Sequence, residues 1–122
     1  MKANFSIVSE RLCDSFGDRP AIVNVERNRQ YSYAEFHLLT NRIVNMMRSA
    51  LGLKRGDIWF NILHNDNLSL LHYFTALKGE TSACYTNYRD SVEQHRWQID
   101  LLKPKVVFIE AELVPGYYDF LV

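Results

Sequence analysis

Four histidines are the side chains of this chain best suited to metal binding or to proton transfer near neutral pH. His64 and His72 are eight residues apart, one at the end of a predicted strand and one in a predicted helix. A zinc site takes three or four protein ligands, and the sequence offers no further ligand at a fitting spacing. We therefore expect packing or surface roles for both, and for His37 and His95, which we place on exposed helix faces.

A group of polar side chains follows two neighbouring predicted strands. Its members are His64, Asn65, Asn87 and Arg89. Ligands of open α/β sheets bind at the carboxyl ends of strands, so these residues are candidates for lining a ligand site. Asparagine is also a common helix cap and turn residue, and this structural role is the interpretation that we favour.

Two further pairs admit a chemical and a structural interpretation. Cys13 and Cys84 match no metal-ligand spacing. We expect two free thiols that pack as small apolar groups, with a single disulfide as the open alternative. Lys78 and Glu80 flank a glycine, and we interpret them as a charge at a helix C-terminus and a loop residue, not as an acid–base pair.

The elements that must position these residues follow from hydrophobic periodicity and turn signals. Helices are predicted near residues 5–16, 33–51, 67–78 and 91–102. Strands are predicted near residues 21–25, 30–33, 57–63, 81–85 and 105–109. Strand and helix alternate from residue 57 to residue 109, which implies parallel pairing. The expected fold class is α/β, with a mainly parallel sheet flanked by helices on both faces.

Two segments carry more apolar surface than one small domain needs. Apolar residues nearly encircle the helix at 68–77, so we expect it to be deeply buried. Tyr117, Tyr118 and Phe120 form an aromatic tail that we expect to pack on chain beyond Val122. In isolation, such surface favours a homodimer or higher oligomer, formed for instance by exchange of the C-terminal segment.

Composition excludes several classes of function. The chain has 122 residues, of which 48% are hydrophobic and 23% charged, with 14 basic residues balancing 14 acidic ones. Because the charges balance, the chain lacks the net positive charge that would attract nucleic acid or an anionic membrane. No stretch approaches the roughly 20 apolar residues of a transmembrane helix, and no signal peptide is recognisable. We expect a cytoplasmic protein without a nucleic-acid partner.

Five short strings resemble, in order, the N-terminal motifs of the adenylate-forming, AMP-binding superfamily, and of its acyl-CoA synthetases in particular. They are DRPAIV at 18–23, YSYAEF at 31–36, NR at 41–42, LGLKRGD at 51–57 and ALKG at 76–79. The last string lacks the alanine that the family has before the glycine. Asn87-Tyr88-Arg89 is similar to the N-x-R of the fatty-acid transport and very-long-chain branch.

The resemblance implies a two-step ATP-dependent reaction in an intact enzyme, with Mg²⁺ and coenzyme A as further requirements. A carboxylate becomes an acyl-adenylate, and coenzyme A then takes the acyl group as a thioester. The family's phosphate loop is rich in Ser, Thr and Gly and ends in Pro-Lys, and this chain contains no such segment. We therefore expect one partial domain, residues 1–122, inactive alone and completed by the remainder of a synthetase chain.

Within this partial domain we assign no catalytic, cofactor-binding or metal-ligating residue. The functional interpretation of the group at His64, Asn65, Asn87 and Arg89 is a lining role near an acyl or pantetheine channel. Two other identities stay open: part of an aryl-CoA ligase or carrier-loading adenylation domain, and a standalone α/β binding or interaction module. The sequence beyond Val122 would separate them, because the acyl pocket of the family lies there.

Overall fold

The computed structural model describes residues 4–121. Its elements are α1 (Phe5–Phe16), β1 (Pro20–Asn24), β2 (Arg29–Ser32), α2 (Tyr33–Ser49), β3 (Ile58–Ile62), α3 (Asn67–Gly79), β4 (Ser82–Tyr85), α4 (Val92–Leu102), β5 (Val106–Ile109) and α5 (Tyr118–Leu121). A 3₁₀ helix, Ala111–Tyr117, precedes α5. Within residues 4–121, no helix is both long and apolar enough to cross a bilayer.

Strand β3 is the centre of a three-stranded parallel sheet with the order β4-β3-β5. Trp59 lies opposite Ala83 of β4 on one side and opposite Val106 of β5 on the other. The chain runs from the central strand to one edge and then across to the other edge, so its two connecting helices cover opposite faces. This is the mainly parallel α/β sheet, flanked by helices, that the sequence predicts.

Alternate side chains of β3 build the two halves of the core. Trp59 packs on one face with Met47, Leu53 and Ala76, which come from α2, the following loop and α3. On the other face, Phe60 and Ile62 pack against Tyr117 and the inner side of α4. A fully buried side chain of this size contributes roughly 1.5–3 kcal/mol, so a few β3 residues provide a large share of the stability.

Helix α2 begins at a capping box. The Ser32 hydroxyl accepts a hydrogen bond from the backbone N–H of Glu35 at 3.1 Å, and the Glu35 carboxylate accepts one from Ser32 at 2.9 Å. The helix ends at Ser49, two residues before the predicted end at Leu51. Strands β1 and β2, close to the positions predicted for them, pair just before it as an antiparallel hairpin.

Helix α3 is buried on one side only within residues 4–121, which is less than the deep burial that the sequence predicts. Leu71 and Ala76 face the core. Leu70, Tyr73 and Leu77 are between 46% and 53% exposed. The reason is that α1, α2 and the sheet cover a single face of the helix. We call Leu70, Tyr73 and Leu77 the α3 outer face.

The aromatic tail packs mainly on its own chain. Tyr117 is buried beside Phe60 and Ile62, and the Phe120 ring lies 5.5 Å from the Tyr117 ring. The expectation that the tail packs on chain beyond Val122 is therefore wrong for these two residues. The 3₁₀ helix turns the tail back onto the α4 side of the sheet, and only Tyr118 stays mostly exposed.

His72 of α3 lies in the core on the Trp59 side of the sheet. Its ring is 5.2 Å from the Trp59 ring and 4.7 Å from the Phe108 ring, measured between centroids. Its Nδ1 donates to Asn61 Oδ1 at 2.8 Å, and the Asn61 amide nitrogen donates to the Cys84 carbonyl at 3.4 Å. Burial lowers the pKa of His72 to about 4.

This pKa predicts a defined loss of stability in acid. The unfolded chain binds a proton on His72 below about pH 6.5, and the folded chain binds it only below about pH 4. Unfolding thus takes up a proton between these values, and stability is lost as the pH falls through them. From about pH 7.5 to about pH 5, we expect a loss of about 2 kcal/mol in the free energy of unfolding.

Urea denaturation at the two pH values measures this loss. A His72→Gln variant should lose clearly less stability than the parent over the same interval, whatever its stability at neutral pH. Val25→Ala, which changes an exposed residue that does not titrate, is the control and should retain the parent's dependence. An unchanged pH dependence in His72→Gln would contradict the assignment.

Candidate functional site

A cleft of about 470 Å³ lies at the carboxyl ends of β3 and β4. The β3–α3 connection contributes His64 and Asn65 to its wall, and the β4–α4 connection contributes Asn87, Tyr88 and Arg89. The structure thus brings together all four residues that the sequence places after these two strands. The topology explains this, because adjacent parallel strands end at the same edge of the sheet.

His64 is held in the cleft from three directions. Its ring stacks on Tyr88, with 4.5 Å between centroids and 15° between planes. Its backbone N–H donates to Glu110 Oε1 at 2.9 Å, and its Nε2 lies 2.6 Å from Glu112 Oε1. Nε2 has no partner with hydrogen-bond geometry among residues 4–121. The Glu112 contact is therefore a charge contact, which strengthens when the ring is protonated.

Arg89 lies beside the same tyrosine. Its Nε donates to the Tyr88 hydroxyl at 3.0 Å, and its guanidinium carbon is 5.3 Å from the Tyr88 ring centroid. The Arg89 backbone N–H donates to Asn87 Oδ1 at 3.0 Å. Asn87 therefore has the turn-forming role that we favour from sequence. The terminal guanidinium nitrogens have no ion-pair partner within the described part of the chain, and they offer donors for an anionic or carbonyl group.

A buried histidine fixes the loop that carries Asn87. His95 of α4 is fully buried, and its Nε2 donates to the Asn87 carbonyl at 2.8 Å. Its Nδ1 accepts a hydrogen bond from the Tyr117 hydroxyl. Burial raises the pKa of Tyr117, so this hydroxyl stays protonated and remains a donor. Both ring nitrogens of the histidine are thereby satisfied in the neutral form.

The expectation that His95 lies on an exposed helix face is wrong. His95 occupies the inner side of α4, in helical register with Val92, Ile99 and Leu102. That spacing is visible in the sequence and is the signal that identifies the position as internal. The hydrogen-bond partner of His95, Tyr117, could not be identified in the same way, because no sequence pattern indicates that the C-terminal tail packs over α4.

Lys78 also lies inside, although the sequence suggests a charge at a helix terminus. It is 2% exposed, and its ammonium donates to Asn41 Oδ1 at 2.9 Å and to the His37 carbonyl at 3.3 Å. Burial lowers the pKa of Lys78 to about 8. His37 is half-buried rather than exposed, since it packs between this lysine and α1. Glu80 instead pairs with Arg55 at 3.1 Å.

The structure does not combine the histidines into a metal centre. His64 lines the cleft, whereas His72 is enclosed in the core. Within residues 4–121, no group of three His, Cys, Asp or Glu side chains has a geometry that would hold a metal ion. Cys13 and Cys84 are free, partly buried thiols on α1 and β4.

Comparison by sequence gives one short similarity. No family model matches the chain. A stretch of 46 residues is 37% identical to 4-coumarate-CoA ligase 2 of Narcissus pseudonarcissus. The match covers 38% of this chain and 8% of that protein.

Comparison by structure extends over nearly the whole chain. The N-terminal domain of FACL13 from Mycobacterium tuberculosis superposes with a TM-score of 0.86 at 20% identity, covering 97% of this chain and 30% of that one. A benzoate CoA ligase from Burkholderia xenovorans gives a TM-score of 0.83 at 14% identity, with coverages of 96% and 23%. The fold is that of the N-terminal part of adenylate-forming ligases, and this chain spans less than a third of either structure.

The His95–Tyr117 hydrogen bond generates a prediction about the cleft. Tyr117→Phe removes the hydroxyl and leaves a buried imidazole nitrogen unpaired, so we expect a loss of about 1–3 kcal/mol in the free energy of unfolding. We also expect faster amide hydrogen exchange in the loop from Asn87 to Arg89, because the histidine that anchors it is no longer fixed.

Tyr118→Phe is the matched control. Tyr118 is exposed, so the loss of its hydroxyl should change stability by less than about 0.5 kcal/mol. Equal stability of the two variants, with unchanged exchange in the loop, would show that the buried hydrogen bond does not hold the cleft wall.

Proposed function

We propose that this chain is the N-terminal part of an ATP-dependent carboxylate–CoA ligase. The observation that supports the proposal is the fold, which matches the N-terminal domain of FACL13 over 97% of the chain. The 46-residue similarity to 4-coumarate-CoA ligase 2 points to the same class. In the proposed reaction, a carboxylate attacks ATP and releases pyrophosphate, and the thiol of coenzyme A then displaces AMP from the acyl-adenylate.

Within such an enzyme, this chain would supply a structural layer rather than the nucleotide site. It has five glycines, none of them in a Ser- and Thr-rich phosphate loop. ATP, Mg²⁺ and coenzyme A would be bound by the remainder of a longer chain in the cytoplasm. The α3 outer face is apolar and uncovered, which suits a surface that the remainder covers. Left alone, the same face would promote self-association.

The cleft would contribute a wall to the acyl or pantetheine channel. It combines the stacked rings of His64 and Tyr88 with the free donors of Arg89. Aromatic surface suits an aliphatic or aromatic chain, and the guanidinium suits a carbonyl or phosphate oxygen. The rigid anchoring of the loop by His95 supports a role in positioning, because a channel wall has to be preorganised.

The substrate class has two candidates. The fold neighbours include an M. tuberculosis fatty acyl CoA synthetase, with a TM-score of 0.84 at 21% identity, which fits a fatty-acid substrate. The short match to 4-coumarate-CoA ligase 2, at 37% identity, favours an aromatic acid instead. The tail, which packs on its own core, favours a different function, that of a standalone binding module without ligase chemistry.

An ATP–pyrophosphate exchange assay separates these candidates. We expect no exchange from the purified 122-residue chain with any acid, because donors for the triphosphate are missing. The product of a reading frame extended beyond Val122 should catalyse exchange with either fatty acids or hydroxycinnamic acids. Exchange by the 122-residue chain itself, or a stop codon directly after Val122, would refute the proposal.

In the active longer product, Arg89→Ala tests the role of the cleft. A pantetheine role predicts slower thioester formation and a raised KM for coenzyme A, with unchanged exchange. An acyl role predicts a raised KM for the acid in the exchange reaction. Arg55→Ala is the control, since it removes an exposed arginine outside the cleft. Unchanged kinetics for Arg89→Ala in both half-reactions would exclude a lining role.

A further inference from the structure

Helix α4 presents two large apolar side chains to solvent. Trp97 is 59% exposed and Leu101 is 65% exposed. The two are four residues apart, so they lie on the same side of the helix. Single exposed apolar residues are common, but a tryptophan and a leucine side by side form a contiguous anchor of the kind found at interfaces. The inner side of α4 is already packed on the sheet.

The charges around these residues follow a pattern. Glu93, Arg96, Asp100 and Lys103 are all exposed and alternate in sign along the helix. None of the four belongs to an ion pair in the described part of the chain. The Arg96 guanidinium carbon does lie 5.6 Å from the Phe120 ring centroid, which leaves its hydrogen-bond donors available.

We propose that the outer side of α4 binds a second copy of this chain through antiparallel α4–α4 pairing. Glu93 and Lys103 are equally far from Gln98 in sequence, and so are Arg96 and Asp100. A two-fold axis near Gln98 therefore places each of these charges opposite its complement on the other copy. Parallel pairing would set like charges against each other, which is unfavourable.

The same axis brings the apolar residues together. The position across from Trp97 is residue 99 of the other copy, and Leu101 lies two residues further along that helix. Two residues are about 3 Å of helix, which the large Trp97 side chain spans, so both side chains become buried in one contact. A helix of 11 residues offers a small face compared with the roughly 1,600 Å² of a standard stable interface. The dimer is therefore weak and forms at high micromolar concentration. The proposal does not depend on ligase activity.

Analytical ultracentrifugation over a concentration series tests the proposal. All samples carry Leu77→Asp, which charges the α3 outer face and suppresses association through it. We expect reversible dimerisation in this background, and a dimer Kd raised at least about tenfold by Trp97→Ala. Val25→Ala, which shortens an exposed residue of the β1–β2 turn, is the control and should not change the Kd.

Charge reversal tests the antiparallel register. Arg96→Glu and Asp100→Arg should each raise the Kd about three- to tenfold, because each turns two attractive contacts into repulsive ones. An equimolar mixture of the two variants should dimerise as well as the parent, since every contact across the heterodimer is again attractive. Salt bridges within a single helix cannot explain the recovered dimerisation, because positions 96 and 100 carry charges of the same sign in each variant.

Three results would overturn the proposal. The first is a chain that stays monomeric at every concentration, which would leave the face to another protein or to the remainder of a longer chain. The second is dimerisation that does not respond to Trp97→Ala. The third is a mixture of the charge variants that associates no better than either variant alone.

Discussion

Strand β3 is hydrogen-bonded along both edges and covered on both faces, and the helices that cover the sheet pack against its side chains. Trp59 organises the side that carries α2 and α3, and Phe60 and Ile62 organise the side that carries α4 and the tail. A strand in this position tolerates a polar side chain only when its hydrogen bonds are satisfied internally. Asn61 meets this condition through His72 and the Cys84 carbonyl. The cleft is a consequence, because it opens where β3 and β4 end.

Three buried polar side chains fix the positions of the helices on this sheet. His72 ties α3 to β3, His95 ties α4 to the tail and to the cleft loop, and Lys78 ties α3 to α2. Burial lowers the pKa of His72 to about 4 and that of Lys78 to about 8. Both pKa values are lowered because burial disfavours the charged form of a side chain that has no carboxylate partner. Apolar packing alone would let the helices slide, whereas these contacts each permit one register.

Much of the fold could be predicted because its signals are local. The apolar run of β3 indicates a strand covered on both faces, and Ser32 with Glu35 gives the start of α2. The cleft residues could be grouped because parallel strands end at one edge of the sheet. The burial of individual side chains could not be predicted as well, because it depends on tertiary contacts that no local sequence pattern contains. The exposure of the α3 outer face, the enclosure of Lys78 and the burial of Tyr117 follow from which elements cover which faces. The internal position of His95 could be predicted from its helical register, but its hydrogen-bond partner could not.

We expect β3 to be the most stable element of the chain and the support of the parallel sheet and its helices. Native-state hydrogen exchange, followed by NMR at increasing denaturant, measures this directly. The amides of Trp59, Phe60 and Ile62 should exchange only through global unfolding, with the largest opening free energies in the chain, and those of the β1–β2 hairpin should open locally at lower cost. If the β3 amides exchanged through local opening, as readily as those of the hairpin, the sheet could not be the support on which the helices and the cleft depend.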